Sequence, residues 1–201
     1  MDDGEFLVVT GASGAGKTTL LRLIWMDHRP TTGLVEVAGF SSDRITRKEL
    51  PSLRKKLGIV FQDFRLLPDR TVYENVALPL QVSGTAGKAV RKRVFSLLAE
   101  MGLSHRRASF PHELSGGEQQ RIAIARAMVA HPRILLADEP TGNLDPEVSR
   151  FVIDLLLSIN KSGTSVVMAT HDPRQLPEGT ARFIFLDRGR MVEPTSWSLL
   201  E

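Results

Sequence analysis

Residues 11–18, Gly11-Ala12-Ser13-Gly14-Ala15-Gly16-Lys17-Thr18, have the types and spacing of a loop that holds phosphate. The pattern G-x-x-x-x-G-K-T lets backbone N–H groups turn inward around phosphate oxygens, and a helix starting at its end adds the positive end of its dipole. In such a loop Lys17 reaches the terminal phosphates of a nucleoside triphosphate and the Thr18 hydroxyl takes a place on Mg²⁺. Asp138 and Glu139 offer a second chemistry. Adjacent carboxylates repel unless a cation keeps them ionised, so Asp138 is expected to hold Mg²⁺ through its water shell and Glu139 to orient the water that attacks the γ-phosphate. Help of that kind contributes about a hundredfold to ten-thousandfold in rate. Gln62 and His171 each follow an apolar run. A lone Gln or His there is commonly a loop residue; together, at two strand ends, they would meet the same phosphates. Gln62 would then sense Mg²⁺ and the attacking water, and His171 would bond the γ-phosphate. Ser115-Gly116-Gly117-Glu118 reads first as a capping box. Yet two glycines in a first turn cost roughly 1 kcal/mol each relative to alanine, and bare backbone at a helix N-terminus suits the close approach of an anion.

These residues need elements to carry them. Phe6–Val9 reads as a strand before the loop, and Leu20, Leu21, Leu23 and Ile24 as the helix after it. Ile134–Ala137 is too short for a helix and reads as a central parallel strand that delivers Asp138 and Glu139. Gly58–Phe61 and Ser165–Thr170 are further core strands, ending on Gln62 and at His171. The carboxyl ends of such strands are where open α/β sheets bind ligands. Leu34–Ala38 reads as a half-exposed antiparallel strand ending at Gly39, followed by a basic segment in which Pro51 limits any helix.

From residue 63 to about 130 the pattern becomes helical. Thr71 and Glu74 match a capping box; Val90, Val94, Leu97, Leu98 and Met101 share one face before Gly102; an alanine-rich helix ends at His131-Pro132. Asp145-Pro146 opens another helix, with Val148, Phe151, Val152, Leu155, Leu156 and Ile159 expected on its buried face. Phe183–Leu186 and Met191–Val192 flank a hairpin turn at Asp187-Arg188-Gly189-Arg190. The expected organisation is one α/β unit over 1–201, with a nucleotide-binding core at about 1–62 and 131–201 and a helical subdomain at about 63–130.

With 201 residues, 42% of them hydrophobic, the chain can bury one sizeable core. It carries no apolar run long enough to span a membrane and opens directly into a strand, so a cytoplasmic protein is expected. The absence of cysteine excludes disulfides, thiolate metal sites and a cysteine nucleophile. Net charge is +3, and the short basic runs 54–56, 91–93 and 106–107 read as solvated faces rather than a nucleic-acid surface.

With the phosphate loop, Gln62, Leu114–Gln120, Ile134–Glu139, Asn143-Leu144-Asp145 and His171 in this order, the chain resembles the ATP-binding-cassette ATPases over nearly its whole length. The resemblance implies a P-loop core with a mostly parallel sheet, a small antiparallel β subdomain and an inserted helical subdomain. It implies Mg²⁺-dependent ATP hydrolysis. Ser115, Gly116, Gly117 and Glu118 would close over an ATP held by the phosphate loop of a second copy, with Asp145 on the seam and two ATP inside a homodimer. A separate integral membrane partner would dock near Gln62–Pro68 and hold the chain at the cytoplasmic face of the inner membrane. Within the family, residues 61–80 are most similar to the cell-division branch, and the lipoprotein-release and macrolide-efflux branches share the architecture. A small P-loop kinase is the rival enzyme class, but no acceptor-binding lid is evident and 115–118 would be idle. Cassette proteins that act on nucleic acid need a long coiled coil or a second cassette. The family usually carries an aromatic that stacks on adenine before the first strand; without one, ATP is expected to bind weakly and with little preference over GTP.

Overall fold

The computed structural model describes residues 1–193. Eight strands and six α-helices of that stretch form a mixed α/β fold with one large and one small sheet. In chain order they are β1 (Phe6–Thr10), α1 (Lys17–Ile24), β2 (Glu36–Val37), β3 (Phe40–Ser41), α2 (Leu50–Arg54), β4 (Leu57–Val60), α3 (Val72–Val82), α4 (Gly87–Glu100), α5 (Gly116–Met128), β5 (Ile134–Asp138), α6 (Pro146–Lys161), β6 (Ser165–Thr170), β7 (Arg182–Asp187) and β8 (Arg190–Val192). The large sheet has the order β4-β5-β6-β1-β7-β8 and is parallel except for β8.

Strands covered on both faces must be apolar throughout, and β1 and β6 are buried at every position. Alternate residues serve the two faces. Phe6, Val8, Leu135, Val166 and Met168 meet Val152, Ile153 and Leu156 of α6. Leu7, Val9, Leu136, Val167 and Ala169 meet Leu21 of α1 and Leu53 of α2. Full burial of such a side chain is worth roughly 1.5–3 kcal/mol, so the sheet is the rigid frame whose carboxyl edge carries the site.

Helices α3, α4 and α5 close their own cluster around Val72, Val76, Val94, Leu98, Ile122 and Ala125. Thr71 and Glu74 form both arms of the expected capping box. Asn75, fully buried, accepts from the Leu67 N–H and donates to the carbonyls of Leu67, Arg70 and Thr71. It thereby fixes the turn that leads from β4 into α3.

The structure departs from the sequence reading in three places. Only Glu36–Val37 pair as a strand, because Ala38 (φ 50) and Gly39 (φ 85) form the tight turn back to β3. Pro51 lies in the first turn of α2 instead of limiting it, since a first-turn residue has no intrahelical N–H bond to lose. Phe151 is 45% exposed, not buried. The inward stripe of α6 runs through Val152, Ile153, Leu156 and Ile159, and Phe151 instead lies under the Arg121 guanidinium at 5.3 Å.

Candidate functional site

The phosphate-loop segment links β1 to α1, and Gly16 at the helix start offers no side-chain cap. The first N–H groups of α1 therefore remain for an anion. From behind, the loop rests on the β7–β8 hairpin: the Gly189 N–H donates to the Ala15 carbonyl at 2.8 Å. A Cβ on Gly11 would stand 2.2 Å from the Leu186 carbonyl oxygen, so that position admits no side chain. The sequence marks the hairpin but not this task, because nothing local to residues 182–192 says what the turn leans on.

Lys17, 7% exposed, donates to the carbonyls of Gly11 (2.7 Å) and Ala12 (3.2 Å), and its ammonium lies 3.3 Å from Glu139 Oε1. The other Glu139 oxygen is 2.8 Å from His171 Nδ1 and accepts from the His171 backbone N–H at 3.3 Å. Glu139 itself sits just past β5 at φ 45, a left-handed conformation that a residue with a Cβ adopts only when its surroundings hold it. Its N–H donates to the Ala169 carbonyl, which ties it to β6.

Asp138 ends β5 and accepts from the Thr18 hydroxyl at 3.1 Å. Burial raises its pKa and the Glu139 charge acts the same way, while the Thr18 bond opposes them. A carboxylate that its site disfavours in charged form suits a divalent cation. Thr18, Asp138 and Gln62 offer side-chain oxygens beside the phosphate loop, and no group of three or more His, Cys, Asp or Glu side chains among the described residues could cage a metal. That donor set fits Mg²⁺, which is usually held by one or two protein groups with waters and nucleotide phosphates completing its shell.

A cavity of about 470 Å³ has Ser13, Lys17, Thr18, Gln62, Glu139 and His171 in its walls. Thr18, Gln62 and Asp138 also line an adjoining space of about 530 Å³ that runs to Trp25, Phe61 and Arg54. The fold thus brings the phosphate loop, both carboxylates, Gln62 and His171 to one edge. Ser115–Glu118 and Asp145 line neither space. Ser115 and Glu118 form both arms of a capping box at the start of α5, with Arg106 2.9 Å from Glu118. Asp145 caps α6 by accepting from the Val148 N–H at 3.0 Å. A Cβ on Gly117 would come within 2.6 Å of a Val148 methyl, so the starts of α5 and α6 are packed together at a position where only glycine fits. Val148 was legible in the sequence as a buried-face residue of α6, but not as the neighbour of Gly117.

The profile of the ABC transporter family matches residues 1–142. The chain belongs to this family. It is therefore an ATP-hydrolysing enzyme that works with ATP and Mg²⁺. It is 50% identical over 192 residues to the cell division ATP-binding protein FtsE of Mycobacterium tuberculosis, covering 96% of this chain and 84% of that protein. To FtsE of Escherichia coli K12 it is 46% identical over 191 residues, covering 95% and 86%. Among solved structures, an ATP-binding cassette captured as a dimer after hydrolysis, with ADP and Pi, superposes with a TM-score of 0.86 at 37% identity, over 96% of this chain and 85% of that one.

Proposed function

We propose that the chain is the ATPase subunit of a bacterial cell-division complex. Two copies enclose two ATP and drive an integral membrane partner of the FtsX kind, which controls cell-wall hydrolysis. The observation that carries this reading is the 46–50% identity to FtsE proteins along 95–96% of the chain. No helix among the described residues is long and apolar enough to cross a membrane, so attachment to the cytoplasmic face of the inner membrane would come through docking near Gln62–Pro68.

In this reading the loop from Gly11 through Ala12, Ser13, Gly14, Ala15 and Gly16 wraps the phosphates with its N–H groups. Lys17 exchanges its bonds to the Gly11 and Ala12 carbonyls for phosphate oxygens. Thr18, Asp138 and Gln62 would hold Mg²⁺, which when bound neutralises charge developing on the phosphates. Glu139, freed from the Lys17 ammonium, accepts a hydrogen bond from the attacking water, while His171 keeps the carboxylate oriented and reaches the γ-phosphate. Ser115, Gly116, Gly117 and Glu118 of the second copy would cover the same ATP through the bare start of α5, and Asp145 would lie on the seam. Support for dividing the chain into a core (about 1–62 and 131–201) and a helical subdomain (about 63–130) comes from the separate cluster that α3, α4 and α5 close. Residues 194–201 of that range lie outside the described residues.

The test is to express Glu139→Gln in a bacterial host, extract membranes with ATP present, and identify what co-purifies. An FtsX-type membrane protein is expected. A lipoprotein-release or efflux permease in its place would contradict the cell-division assignment.

A further inference from the structure

Arg126, in the last turn of α5, is part-buried and reaches across to the turn just beyond Gln62. Its Nη1 donates to the Arg65 carbonyl at 2.5 Å and its Nη2 to the Phe64 carbonyl at 2.7 Å. Phe64 (φ 57) and Arg65 (φ 48) are both left-handed and neither is glycine. Two such residues in succession are disfavoured for any side chain with a Cβ and persist only when something outside the turn holds them. A planar guanidinium with two forward nitrogens matches two carbonyls presented side by side, which a single ammonium cannot do. Burial lowers the Arg126 pKa, and the Phe64 and Arg65 carbonyl oxygens are the hydrogen-bond partners that hold its guanidinium at the turn.

The turn is closed on its other sides as well. The Phe64 N–H donates to the Phe61 carbonyl, the Arg65 guanidinium lies 4.2 Å over the Phe61 ring, and the Asn143 amide lies 3.5 Å from the Gln62 carbonyl. The Phe64 ring reaches the opposite end of α5, 4.0 Å from where a Cβ on Gly116 would stand. Gln62 therefore sits in a segment bound to the helix that begins at Ser115.

We propose that Arg126 is a positioning residue for Gln62: by clamping the Phe64 and Arg65 carbonyls it fixes the turn that aims the Gln62 side chain and ties that aim to the placement of α5. The inference rests on the assignment of Gln62 to Mg²⁺ and the attacking water. It does not depend on which membrane protein is the partner.

The experiment is steady-state ATP hydrolysis by the full chain, with ATP and Mg²⁺ varied separately, for Arg126→Gln, Arg126→Lys, Gln62→Ala, and Arg126→Gln combined with Arg65→Gly. Loss of the clamp is expected to lower kcat by roughly ten- to a hundredfold, the scale of a small misplacement near the reacting atoms. KM for ATP should stay within about twofold, since the phosphate loop is untouched, and half-maximal rate should need more Mg²⁺. Arg126→Lys, able to satisfy one carbonyl at a time, should fall between. Arg65→Gly should return several-fold of the kcat lost in Arg126→Gln, because glycine enters the left-handed region without a clamp. Full kcat in a folded Arg126→Gln protein would overturn the inference. So would a loss that tracks lowered melting temperature and is not relieved by Arg65→Gly. Full kcat in Gln62→Ala would overturn the underlying role of Gln62, whatever the Arg126 variants do.

Discussion

Lys17 and Glu139 form an ion pair, Nζ to Oε1 at 3.3 Å, with the lysine 7% and the glutamate side chain 12% exposed. The group proposed to bind phosphate and the group proposed to direct water thus hold each other. In the proposed function, ATP would separate them, its phosphates replacing the carboxylate as the partner of Lys17. Lys17→Ala removes a charge-assisted bond worth about 1.5–3 kcal/mol, so ATP affinity should fall roughly ten- to a hundredfold. Equilibrium binding of a fluorescent ATP analogue would check this, and unchanged affinity would contradict the placement of phosphate at the loop.

Asp138 gives a prediction about stability and pH. Its ordinary carboxyl pKa of 3.8 is raised in the fold, first by burial. An acid whose folded pKa exceeds its unfolded pKa subtracts from stability at pH above the folded value, and the penalty fades as pH falls from the folded to the unfolded pKa. Asp138→Asn should therefore raise the melting temperature of the metal-free, nucleotide-free protein at neutral pH, with the gain disappearing in acid. The same substitution should abolish Mg²⁺-dependent turnover. Thermal melts across pH, without Mg²⁺ and with ATP omitted, decide the first part; a lower melting temperature at neutral pH would contradict it.

Gly117 and Val148 should behave as a coupled pair. A methyl group on Gly117 meets the Val148 side chain at 2.6 Å, and overpacking of this kind costs about 1–3 kcal/mol. Gly117→Ala should destabilise the fold by that amount, and adding Val148→Ala should recover most of it. Strict additivity of the two single effects in denaturant titrations would show that the contact is unimportant.

What the sequence made legible was local. The phosphate-loop spacing, the apolar runs that become β1, β5 and β6, and the capping boxes at Thr71 and Ser115 are each written within a few neighbouring residues, and the structure shows them where expected. The β7–β8 turn was legible, but its hydrogen bond to Ala15 joins residues far apart in the chain and leaves no local pattern. Phe151 matched the helical period yet faces outward, because Ile153 and Val152 fill the inward stripe first and Arg121 covers the ring. Left-handed Glu139 and the inward turn of Lys17 could not be read at all. Both depend on charges and carbonyls brought together only by the folded sheet edge.

In the proposed mechanism Glu139 directs the hydrolytic water within a homodimer around two ATP. The most direct measurement is phosphate release with Mg²⁺ and ATP by Glu139→Gln, together with its mass in solution with and without ATP. Turnover should fall by at least about a hundredfold, and an ATP-dependent dimer holding one ATP per chain should form. Turnover at the rate of the unaltered protein, or a Glu139→Gln protein that stays monomeric at saturating ATP, would contradict it.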